Sequence, residues 1–106
     1  MNISYSRLFV KDINEIAEYI TNELCNPKAA EKLKVAIFDE VDRLSDSPFL
    51  GEALPPSFRI NNQDLRRIVV KKHIIIYRGT DQIIAERVLY GRRDWMSILS
   101  SGSQNL

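Results

Sequence analysis

An α+β domain, with an N-terminal helical hairpin packed on an antiparallel β-sheet in the order β-α-α-β-β-β-α, is what this 106-residue sequence predicts. Three observations predict it. Apolar residues recur at helical spacing in two consecutive segments joined by Asn26-Pro27. Three β-branched runs occupy residues 66 to 90, separated by turns short enough for hairpins. A chain of this length has room for one domain with one modest core.

Ile3 and Tyr5 alternate with polar neighbours and suggest a short first strand, and Ser6 is a good N-cap for a helix beginning just after it. Phe9, Ile13, Ile16, Ala17, Ile20 and Leu24 then form one stripe, which leaves Lys11, Asp12, Glu15, Glu18 and Glu23 outside this first helix. Asn26 caps a second helix, and Pro27 at its first position costs no hydrogen bond. Ala30, Leu33, Ile37, Val41 and Leu44 mark its inner face. So short a connection makes the pair an antiparallel hairpin.

Ser45-Asp46-Ser47-Pro48 stops the second helix, and residues 46–64 show no sustained period, so they read as a long loop. Arg66–Val70, His73–Tyr77 and Ile83–Tyr90 read as strands. Tyr77, in the middle of an apolar run, reads as a core tyrosine with its hydroxyl satisfied. Gly91 breaks the last strand. A short helix from Arg92 to Leu99 then carries Trp95, Ile98 and Leu99 on one side, with Trp95 as its packing anchor. The domain is expected to span residues 1–99, with 100–106 a polar, flexible tail.

Charge divides the chain. Residues 1–58 hold six basic and ten acidic side chains, whereas Arg59 to Asp94 hold nine basic and four acidic. The net charge of +1 therefore hides an acidic half and a basic half, a pattern suited to an acidic or polyanionic partner or to a solvated sheet face. Arg66, Arg67, Arg87, Arg92 and Arg93 are the candidate basic contact surface. Arginine's planar fork suits phosphate and carboxylate. In strand alternation, however, Arg66 and Arg67 point to opposite faces, and one of them can be taken up by a helix acid.

Other chemistry is poorly supplied. One histidine and one cysteine do not build a zinc site, so no metal and no cofactor is expected. Cys25 fits a reducing compartment and is a poor nucleophile at a helix end. No run approaches the roughly 20 apolar residues of a membrane span. The segment MNISYSRLFVKD lacks the apolar core of a secretory signal, so the chain is expected in the cytoplasm.

The Asn-Pro helical hairpin, the RRIVV…HIIIYR pair of strands and the closing RVLYGRRDW resemble the RelE/ParE superfamily of bacterial type II toxin–antitoxin modules, and the GRRDW ending resembles its ParE-type branch more closely. The resemblance implies a small toxin that a cognate antitoxin wraps and silences. The basic surface would then contact the target or the antitoxin. An exposed apolar groove between the helical hairpin and the sheet would accept an amphipathic antitoxin helix, and operator DNA would be met only through the antitoxin. Two activities are implied as alternatives: ParE-like inhibition of DNA gyrase without chemistry of its own, or RelE-like ribosome-dependent cleavage of mRNA. A third possibility is a degenerate member that binds its antitoxin and shares only in autoregulation.

For the ribonuclease alternative the resemblance nominates His73, Tyr90 and Arg93 as catalytic. Attack by a 2′-hydroxyl needs a base, a proton donor for the leaving oxygen and cations around the developing charge. Arg93 matches an arginine that would brace the phosphate, and Tyr90 matches a tyrosine used by some members. The set departs from the ribonuclease pattern where an arginine is usual in the central strand, because Ile74 stands there. His73 has a suitable intrinsic pKa but also reads as a plain turn residue beside Lys71 and Lys72. The ParE-type ending has its own departure: the usual histidine before Gly91 is Tyr90 here.

Overall fold

Both helices begin where their capping residues stand. In the computed structural model, which describes residues 3–104, β1 (Ile3–Tyr5) leads directly into α1 (Arg7–Asn22) and then α2 (Pro27–Arg43). Ser6 Oγ accepts the Phe9 N–H at 3.0 Å, and Asn26 Oδ1 accepts the Ala29 N–H at 3.1 Å. Each bond satisfies a donor that the first helical turn leaves unpaired. Cys25 ends the link between the helices in the left-handed region (φ 52°), which turns the chain back sharply enough for an antiparallel hairpin.

The next elements are β2 (Glu52–Ala53), β3 (Arg59–Ile60), β4 (Gln63–Asp64), β5 (Arg66–Val70), β6 (His73–Arg78), β7 (Ile83–Tyr90) and α3 (Trp95–Gln104). The main sheet has the order β1-β7-β6-β5-β2. Its β5–β6 and β6–β7 pairings are antiparallel, as the short turns predicted, and β2, from the segment expected to be a loop, adds to β5 antiparallel as well. The pairing of β1 with β7 is parallel, Ile3 opposite Ile83, so the sheet is mixed. The reason is connectivity. β1 passes straight into the helical hairpin, has no turn partner of its own, and docks on the edge that β7 leaves open.

Both faces of the sheet are covered. Ile68, Val70, Ile75, Tyr77 and Val88 pack under Phe9, Ile13, Leu33, Ile37 and Val41 of the helical hairpin. On the other face Leu65, Ile74, Ile76 and Leu89 pack under Leu54 and Leu99, with Phe58, Ile60, Trp95 and Ile98 beside them. Each fully buried side chain of this kind contributes about 1.5–3 kcal/mol. The expected helical stripe holds from Phe9 to Ile20, with two corrections: Asp12, expected outside, is buried, and Leu24, expected inside, lies beyond the end of α1 and is exposed.

The 46–64 segment differs from the loop expected of it. It contains β2, β3 and β4 and straps the second face of the sheet through Leu54, Phe58 and Ile60. Asn61 and Asn62 both have positive φ (52° and 60°), which makes the β3–β4 connection a two-residue hairpin turn of the kind asparagine tolerates. The last helix also differs. It starts at Trp95 rather than Arg92, because Asp94 stands at its entrance and accepts from Ser97 Oγ at 2.8 Å. It then runs to Gln104, into the segment expected to be a flexible tail; residues 105–106 lie outside the described residues. No described helix is long and apolar enough to cross a membrane.

Candidate functional site

Most of the arginines in the basic half are bound within the molecule. Arg59 pairs with Asp64 across the β3–β4 hairpin at 2.8 Å. Arg66 donates to the Gly51 carbonyl at 2.7 Å and lies over the Phe49 ring, 4.8 Å from its centre. Arg67 donates to Glu52 from both Nε (2.9 Å) and Nη2, and sits 5.5 Å from the Trp95 ring centre. Arg78 donates to Glu86 at 2.6 Å and to Gln63.

Arg87, grouped on sequence with the candidate surface arginines, turns toward α1. Its Nε and Nη2 reach the two oxygens of Asp12 at 2.7 and 3.0 Å, and its side chain is only 14% exposed. The same carboxylate accepts the Val88 N–H at 2.9 Å. That donor faces the edge of β7 beyond the end of β1, where no neighbouring strand remains to take it. A buried carboxylate is tolerated there because an arginine and a backbone donor together replace its water.

Four cations of the basic half have neither an ion pair nor a side-chain hydrogen bond among the described residues: Lys71, Lys72, Arg92 and Arg93. The sheet brings them to one end. Lys71-Lys72 is the β5–β6 turn, and the Gly91 N–H at the exit of β7 donates to the Lys72 carbonyl at 2.8 Å. A side chain on Gly91 would crowd that carbonyl (3.1 Å), so the close approach of the two segments suits glycine. Arg92 and Arg93 come directly after it, both exposed. Asp94, the nearby acid, is occupied at the start of α3.

The three residues nominated for catalysis meet in the same corner. His73 and Tyr90 are cross-strand partners, their rings 5.6 Å apart and tilted by 52°. The Arg93 N–H donates to the Tyr90 carbonyl at 3.1 Å. Among the described residues no side-chain hydrogen bond joins His73, Tyr90 and Arg93. His73 Nδ1 is buried without a partner, and burial lowers the pKa of the ring below its ordinary value near 6.5, which favours the neutral form. The corner can present cations, one aromatic face and a neutral imidazole. Lys71 and Lys72 belong to it although sequence reasoning placed them only in a turn. The available signal was that a two-residue turn must lie level with whatever leaves the next strand.

Comparison with known proteins places this geometry. No curated protein sequence matches the chain. A solved structure titled "Chromosomal ParDE TA system from P. aeruginosa" matches with a TM-score of 0.66 and 19% identity, over 85% of this chain and 95% of that one, so the two share a fold. The family model described as the ParE toxin of the type II toxin–antitoxin system parDE matches residues 3–95. With that match covering both helices, the whole main sheet and the basic corner, the chain belongs to the ParE toxin family of type II toxin–antitoxin systems.

Proposed function

We propose that this toxin acts in the cytoplasm by inhibiting DNA gyrase, without chemistry of its own, and is neutralised by a cognate antitoxin. The observation that carries the reading is the ParE family match over residues 3–95. Arg92 and Arg93, with Lys71 and Lys72, form the surface offered to the target and to an acidic antitoxin segment, whereas Arg66 and Arg67 are held by Gly51 and Glu52. The space between the helical hairpin and the sheet is filled by core side chains. An open depression of about 520 Å³ along α1, where Tyr5 and Val10 lie among Arg7, Lys11, Asn14, Glu15 and Glu18, is the footing left for an antitoxin helix. Operator DNA is reached through the antitoxin.

The test is a supercoiling assay with purified gyrase. The chain is expected to inhibit it, and the product of the neighbouring antitoxin gene is expected to relieve the inhibition. The second reading, ribosome-dependent mRNA cleavage, is favoured by the convergence of His73, Tyr90 and Arg93. In that case gyrase is unaffected and translated mRNA is cut. Tyr90→Phe or Arg93→Ala then lowers cutting by about 10²-fold or more with the fold intact.

A further inference from the structure

We propose that the end of the sheet bearing Lys71, Lys72, Tyr90, Arg92 and Arg93 is a binding site for single-stranded nucleic acid. The four cations take the phosphates and the Tyr90 ring stacks on a base. This goes beyond the choice of target, because binding is measured with neither gyrase nor the ribosome present.

Three features of the corner carry the inference. The first is selective neutralisation. Within the basic half, Arg59, Arg67, Arg78 and Arg87 are each matched by an acid, whereas no described acid pairs with these four. The second is register. The Gly91–Lys72 backbone bond sets the Lys71-Lys72 turn beside Arg92-Arg93, so two pairs of basic residues leave adjacent segments of backbone. The third is Tyr90. It is 38% exposed at the head of this cluster, and its ring is backed by His73 across the strands. An exposed aromatic ring among cations is the arrangement that binds unpaired strands, because every base offers a π face while every linkage carries a charge. An acidic peptide would satisfy the cations but leave the ring unused, and a duplex hides its base faces in the stack.

The experiment is fluorescence anisotropy of the full chain with labelled DNA and RNA strands of about 12 nucleotides, a matching duplex and a glutamate-rich peptide of equal charge. Both single strands are expected to bind more tightly than duplex or peptide. The logarithm of affinity should fall with the logarithm of salt at a slope of about −3, as expected for four neutralised phosphates on a single strand. The double variant Lys71→Ala/Lys72→Ala, and likewise Arg92→Ala/Arg93→Ala, should reduce that slope by about half. Lys28→Ala/Lys32→Ala, which removes equal charge from exposed positions on α2, should leave it unchanged. Tyr90→Ala should weaken binding by about tenfold, and Tyr90→Trp should retain or strengthen it, which keeps the test sound if the alanine variant fails to fold.

A stronger response of DNA than RNA, or the reverse, identifies which strand the site prefers. The proposal is overturned if no strand binds at low salt, or if the α2 variant lowers the slope as much as the corner variants do. It is overturned equally if duplex or peptide binds as tightly as single strands with Tyr90→Trp and Tyr90→Ala alike.

Discussion

Asp12 shows how one side chain can close a gap that the backbone leaves. Spacing alone places it in the buried stripe, three residues after Phe9 and four before Ile16, whereas its charge places it in solvent. The conflict is settled by Arg87 and the Val88 N–H, 75 and 76 residues away, which no local reading could supply. Removing one partner strands the other in a buried setting. Asp12→Ala is therefore expected to cost about 3–5 kcal/mol in urea unfolding, since Arg87 and an edge N–H both lose their acceptor. Replacing both partners by apolar residues, as in Asp12→Leu/Arg87→Met, should be less damaging than the sum of the single changes. Strict additivity of the two would show that the pair does not act as a unit. The same pair corrects the sequence reading of the arginines. Residue type alone marks Arg87 and Arg93 alike, and only the tertiary partner distinguishes a structural arginine from one left for solvent.

At the scale of elements, the strap across residues 46–64 depends on Tyr77. Its hydroxyl donates to the Pro48 carbonyl and accepts the Gly51 N–H, both at 2.8 Å, although the ring lies in the core of the sheet. Gly51 is pressed so closely there that an added Cβ would lie 2.6 Å from the Arg67 carbonyl oxygen and 2.7 Å from Tyr77. Tyr77→Phe leaves both backbone groups without their partner and should cost about 1–3 kcal/mol. Hydrogen exchange at Gly51 should accelerate in that variant more than exchange in α2 does; equal acceleration throughout would mean that the hydroxyl does not tether the strap. The helical hairpin was legible in sequence because Ser6, Asn26 and Pro27 act locally. The strap was not, because strands of two residues show no alternation, although Asn61-Asn62 was an available turn signal. The site was only partly legible for a related reason. A bulge between Ile76 and Tyr77 inserts Glu86 as an extra residue on β7. Counting inward from the Arg78–Ile84 pair would set His73 opposite Leu89 and turn Tyr90 to the wrong face.

For the whole molecule, the two covered faces make β6 the element with most to lose on opening. Ile74, Ile75, Ile76 and Tyr77 are all buried, and both neighbouring strands are paired to it. Amide exchange should be slowest in β6 and fastest in the exposed β3–β4 hairpin, with β1 intermediate. If β3 and β4 exchange as slowly as β6, the strap is part of the central cooperative unit and not a cover laid upon it. The fold class was readable because covering a sheet with a helical hairpin leaves a strong pattern; the parallel edge was not, because nothing near Ile3 announces Ile83 as its partner. That edge has a consequence for the order of events during synthesis. Ile3 is synthesised well before Ile83, its partner in the sheet, so β1 waits unpaired until β7 has been made. Lys71, Lys72, Tyr90, Arg92 and Arg93 come together only after β7 has paired, so a nascent chain that stops short of it carries the helices of the toxin without its basic corner.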